Sequence, residues 1–140
     1  MSIAEYFEKA KGRGILATAD NEGKVDAAVY AKPKVLDEDT VAFIMLDRLT
    51  HANVKSNPHA AYLFVEEDGG GYRGLRLYLT MLSEEKDSER LFALRRADHN
   101  ATQEIGEERS PLFLVVFKID SIRAMTERGG NPLEEEKAAA

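Results

Sequence analysis

Residues 40–65 read TVAFIMLDRLTHANVKSNPHAAYLFV, and the class of fold turns on this stretch. Its first seven residues are strongly apolar and of strand length. Asp47 and Arg48 then form a polar loop, and Thr50 is placed as the N-cap of a short helix over 50–57 that Pro58 closes. A second strand is predicted over 60–65, again strongly apolar.

Outward from this core the chain keeps to short strands. Residues 14–19 (GILATA) and 25–32 (VDAAVYAK) flank Asp20-Asn21-Glu22-Gly23, a hairpin signal. Pro33 and the acidic run Asp37-Glu38-Asp39 mark a turn before residue 40. Downstream, Gly69-Gly70-Gly71 reads as the tip of a hairpin leading into a strand over 75–82; without a following Lys-Ser or Lys-Thr it is not a phosphate-binding P-loop. A helix is predicted over 83–96, where Glu84 and Glu85 suit its positive start and Arg95-Arg96 its negative end. Residues 97–110 are polar and read as irregular. A last strand is expected over 112–119, with a short extension at 121–125. At the start, Ile3, Tyr6, Phe7 and Ala10 share one face of a helix over 3–11, with Ser2 as its N-cap and Gly12 and Gly14 ending it.

Six strands joined mostly by short turns, with three modest helices, predict a mainly β fold: an antiparallel six-stranded barrel. A doubly wound α/β fold needs a helix between most strands. The domain is expected to span 1–128, with 129–140 (GGNPLEEEKAAA) an unstructured tail.

One pattern reaches beyond the single chain. The strands at 60–65 and 112–117 are apolar on both alternating faces, which calls for cover on both sides. Three short helices leave outer faces bare, so a partner subunit is expected to complete the cover in a homodimer.

Composition narrows the function classes. A net charge of −6 argues against broad nucleic-acid binding, which needs a positive surface. With no cysteine, thiolate chemistry and disulfides are excluded. No apolar run approaches the roughly 18 residues of a membrane span. The start, MSIAEYFEKAKGRG, lacks the apolar core of a secretory signal, so a cytoplasmic location is expected. His51, His59 and His99 lack metal-ligand spacing and read as surface residues, and Tyr62 and Tyr78 as core or interface tyrosines. The chemistry-bearing stretch is Asp47 to Asn53: free N–H groups at a helix start favour a phosphate, and Arg48 and the Thr50 hydroxyl can add contacts. Taken alone, the same residues suit an ordinary capped helix beside a surface arginine.

The order of GILATADNEGKVDAAVYAKP, TVAFIMLDRLTHANVKSNPHAAYLFVE and GLRLYLT resembles the pyridoxamine 5′-phosphate oxidase-like FMN-binding split barrels. The resemblance covers roughly residues 6–82, and the last strand is also in place. It is most specific from Arg48-Leu49-Thr50 to Asn57-Pro58. It implies FMN at a dimer interface, with Ala27, Ala28, Val29, Tyr30 and Ala31 bordering the isoalloxazine. Arg48, Leu49, Thr50 and Asn53 would then hold the phosphate. The lysine that many relatives carry in this loop is replaced here by apolar and hydroxyl residues, and Arg76 of the other subunit is a candidate substitute. Residues 122–126 lack the arginine and histidine pattern that grips pyridoxal phosphate, which argues against true pyridoxamine oxidase activity.

The implied function is a flavin-dependent oxidoreductase, with the hydride chemistry carried by the flavin and no catalytic side chain assigned. The alternatives are an electron-transfer module without a substrate of its own, a binder of F420 or haem, and a dimer without cofactor.

Overall fold

A computed structural model describes residues 1–68, 70–97, 111–127 and 130–134. The chain runs α1 (Ile3–Lys9), β1 (Gly12–Ala19), β2 (Val25–Tyr30), β3 (Lys34–Asp37), β4 (Thr40–Leu46), α2 (Leu49–Ser56), β5 (His59–Glu66), β6 (Gly74–Lys86), α3 (Glu89–Ala97) and β7 (Leu112–Ala124). The strands form one antiparallel sheet in the order β2-β1-β5-β6-β7-β4-β3.

Local chemistry fixes the ends of these elements. Ser2 and Glu5 form a reciprocal capping box on α1, and Lys32 Nζ donates to the Phe7 and Ala10 carbonyls at its other end. In the β1–β2 turn Asp20 Oδ1 accepts from the Glu22 and Lys24 amides, and Gly23 takes φ +86°, which a side chain would disfavour. The long β6 and β7 slip register at Tyr78/Leu79 and again at Met81/Ser83, the kind of irregularity that lets a sheet bend.

Two apolar clusters result. The larger lies on one side of the sheet and gathers Leu16, Phe43, Tyr62, Phe64, Leu77, Phe117 and their neighbours with Ile3 and Phe7 of α1. The smaller lies on the opposite side of β4 and β7, where Ala42, Leu112, Leu114 and Val116 meet Leu91, Phe92 and Leu94 of α3. Close packing reaches the backbone at Gly14. A Cβ there would fall 1.8 Å from the Tyr62 hydroxyl, which donates to the Tyr30 carbonyl.

The sheet has seven strands, not six, and runs from an edge at β2 to an edge at β3 without closing into the expected barrel. Lys34–Asp37, expected as a turn because of Pro33 and the acidic run, pairs with β4 through a bulge. The helix expected over 83–96 is half strand: Ser83 to Lys86 continue β6 against Val116 to Phe113. Glu84 and Glu85, which suit a helix start, instead find ladder partners on β7. The chain turns at Asp87 (φ 46°), and the Ser88 hydroxyl accepts from the Leu91 amide at the start of α3. Gly12 and Gly14 belong to β1 and do not end a longer α1, and β7 runs unbroken to Ala124. The tail drawn from residue 129 is docked over 130–134: the Ala124 amide bonds the Gly130 carbonyl, and Leu133 is buried in the larger cluster. Most of the irregular stretch read over 97–110, together with Gly69 and His99, lies outside the described residues, while Ala97 closes α3.

Candidate functional site

Among the described residues, the side of β2, β1, β5 and β6 that faces away from the larger cluster is left without cover. On β2, Val25, Ala27 and Val29 point away from the core, and Val25 and Val29 are 84% and 73% exposed. Ala27 lies opposite Ala17, Ala17 opposite Ala61, and Ala61 opposite Tyr78, so a row of three alanines crosses the strands and ends at an aromatic ring. The adjacent row is larger: Val29, Ile15, Leu63 and then Arg76. Alternation along each strand turns these residues outward, while Leu16, Tyr62 and Leu77 turn in.

β2 is also a sheet edge, so every second residue turns its N–H and C=O away from β1. The first turn of α2 stands beside this edge. The Thr50 hydroxyl faces the Tyr30 hydroxyl, and Asn53 Nδ2 donates to Thr18 Oγ1 at 3.0 Å. Burial pushes the Tyr30 hydroxyl pKa up, opposed by the Thr50 hydroxyl and reinforced by nearby Asp26. Burial pushes that of Tyr62 up further.

The nine residues singled out from the sequence therefore separate into groups. Ala27, Val29 and Ala31 are exposed, whereas Ala28 and Tyr30 alternate to the other side of β2 and are partly buried. Arg48 and Leu49 are exposed at the start of α2, and Thr50 and Asn53 are buried, the first facing Tyr30 and the second bonded to Thr18. The helix begins one residue earlier than expected, with Arg48 at the N-cap and Thr50 inside the first turn. No side chain caps that turn, so its amides are left for water or an external acceptor. Arg76, the candidate from a partner, is held by its own chain: it donates to the Ala124 and Thr126 carbonyls and pairs with Glu127.

His51 overturns its reading as a surface residue. It is 2% exposed, with Nδ1 2.9 Å from Asp47 Oδ1, Nε2 2.5 Å from Glu84 Oε2 and its ring stacked 4.0 Å from that of Phe113. The spacing of Asp47 and His51, four residues apart across a helix start, was a usable signal. Glu84 was hidden by its assignment to a helix. Elsewhere, a cleft of about 430 Å³ between α1 and the docked C-terminal turn is lined by Tyr6, Lys9, Glu66, Arg73 and Leu133. Among the described residues no cluster of three His, Cys, Asp or Glu could hold a metal ion, and no helix is long and apolar enough to cross a membrane.

No family model and no curated protein sequence matches the chain. Solved structures do. An FMN-binding protein from Syntrophomonas wolfei subsp. wolfei is 21% identical, with a TM-score of 0.68 over 89% of each chain. A pyridoxamine 5′-phosphate oxidase-like protein from Listeria innocua is 20% identical, with a TM-score of 0.61 over 88% of this chain and 94% of that one. The haem storage protein HutZ from Vibrio cholerae is 16% identical, with a TM-score of 0.61 over 87% and 91%. The fold is thus the one found in pyridoxamine 5′-phosphate oxidase-like proteins, as the sequence resemblance implied.

Proposed function

We propose that this chain binds FMN on the open face of β2, β1 and β5, that a second copy of the chain closes over that face, and that the assembly is a cytoplasmic flavin-dependent oxidoreductase acting on a small organic molecule. The observation that carries the reading is the juxtaposition of an exposed apolar face, a bare strand edge and an uncapped helix start. Each suits one part of the cofactor. Alanines 17, 27 and 61 leave room for a flat ring to approach the backbone. The edge N–H and C=O groups of β2 match the polar rim of such a ring. Arg48 and the amides of Leu49 and Thr50 suit a phosphate. Thr50 and Asn53 serve this end indirectly, fixing the helix to Tyr30 and Thr18.

Bound flavin supplies the hydride or electron transfer. The chain's own residues orient the ring and exclude water from one side of it. Exposed Val25, Val29 and Leu49 gain cover when a second copy docks, which stabilises the dimer and the bound ring together.

The test is a visible absorption spectrum after incubation with FMN and desalting. Retained flavin bands, bleached by reductant and restored by air, are expected. A protein that retains no flavin but gives a Soret band with haem, or retains F420 instead, contradicts the FMN assignment. Steady-state turnover with reduced nicotinamides and a range of acceptors tests the oxidoreductase step; reversible reduction without turnover assigns an electron-transfer module instead.

A further inference from the structure

The flavin reading leaves the group of charged side chains around buried His51 without a role. Among the buried polar side chains of the described residues, His51 is the most enclosed. Its contacts come from three directions: Asp47 from the loop after β4, Glu84 from β6, and the Phe113 ring from β7. Lys55, one turn further along α2, reaches Glu84 Oε1 at 3.6 Å and ties the helix to β6 a second time. A carboxylate only accepts, so one ring proton makes one of the two His51 contacts a hydrogen bond and a second proton makes both.

The placement gives the cluster its meaning. Asp47 and His51 bracket Arg48, Leu49 and Thr50, and the amides of Leu49 and Thr50 belong to the uncapped helix start, while that of Arg48 donates to the Leu46 carbonyl. The bond between Asp47 and His51 closes that turn on itself, and Glu84 and Phe113 dock it against the sheet. An anion site made of backbone amides works only when the amides are held in one direction before the ligand arrives.

We propose that His51 is the positioning residue of this site: through Asp47, Glu84 and Phe113 it aims the first turn of α2 at an anionic group, which under the flavin reading is the phosphate of FMN. His51 itself is too enclosed to touch the ligand. A residue that merely supported the fold would weaken every ligand of the face alike. A positioning residue acts on the phosphate selectively.

The experiment compares the affinities of FMN and riboflavin, which lacks the phosphate, for the full chain. In His51→Gln the preference for FMN over riboflavin is expected to fall about tenfold while riboflavin binds as in the wild type. Glu84→Gln keeps an acceptor for Nε2 and removes the charge, so it folds normally and lowers the same ratio by a smaller factor. Equal losses for both flavins, or an unchanged ratio, overturn the proposal. A wild-type protein that binds FMN no better than riboflavin overturns the phosphate assignment instead, and amide exchange then decides the role of His51. The Ala52 amide bonds the Arg48 carbonyl at 2.9 Å, and its exchange is expected to speed about tenfold in His51→Gln with core strand amides unchanged. Unchanged exchange at Ala52 overturns the positioning role.

Discussion

On β7 the outward side chains Leu112, Leu114 and Val116 are buried beneath Leu91 of α3, whereas on β5 the outward Ala61, Leu63 and Val65 stay half-exposed and run on into the bare Ala27 and Val29 of β2. Both strands are apolar on two faces. The difference lies in what the chain does next. β6 extends to Lys86, turns at Asp87 and lays the helix ERLFALRRA across β4 and β7, so one face is covered from within. Among the described residues no comparable segment returns to the outward face of β1 and β2. Apolar residues on two faces therefore do not by themselves tell which molecule supplies the cover.

Substitutions that treat the two faces alike should expose the contrast. The largest effect belongs to the covered face. Leu114→Ala removes a fully buried side chain under α3 and is expected to destabilise the fold by about 3 kcal/mol in urea unfolding. A change below about 1 kcal/mol would mean that α3 covers β7 only loosely.

Next comes the inner side of β5. Tyr62→Phe deletes the bond to the Tyr30 carbonyl, at a cost of about 1 kcal/mol. It should also alter the alkaline limb. The Tyr30 and Tyr62 hydroxyls are held above the ordinary tyrosine value of 10.0 by burial. Below that value folded and unfolded chains are both neutral there and the fold keeps its full stability. Above it the unfolded chain ionises first, so stability falls as pH rises. Tyr62→Phe should make that fall shallower in pH-dependent unfolding, and an unchanged slope would show that Tyr62 ionises in the folded state like a free phenol.

On the open face, Val29→Lys should shift unfolding of the single chain by less than about 0.5 kcal/mol, because the side chain is already in water. The same change should abolish self-association in sedimentation, because it places a charge in the centre of the proposed contact. A variant that still pairs would move the interface elsewhere. The smallest effect is expected at Tyr72, exposed near the β5–β6 hairpin tip but off the face: Tyr72→Ser should change neither stability nor association. A loss of association there would extend the contact to the hairpin.

Much of this arrangement was legible in the sequence because its signals are local. The Asp20 to Gly23 turn with the two runs that flank it, and the apolar run of β4, each fix their own element. What was missed depends on partners distant in sequence. Ser83 to Lys86 carries a helix-start composition and becomes strand because β7 offers it a ladder. Lys34 to Asp37 forms a strand only because β4 lies beside it. At the site, the stretch Asp47 to Asn53 was singled out from its hydroxyl and basic residues, but their directions were not readable. Thr50 and Asn53 turn inward because Tyr30 and Thr18 await them there, and His51 is buried because Glu84 and Phe113 accept it.

On the proposed function the open face takes up flavin and a second copy of the chain together. Sedimentation velocity of the FMN-loaded protein, followed at both protein and flavin wavelengths, tests this directly. Flavin absorbance is expected to travel with a particle of twice the chain mass, and Val29→Lys to remove both the flavin and the doubling. Flavin carried by a single chain, or a dimer that persists in Val29→Lys with its flavin intact, would contradict the proposal.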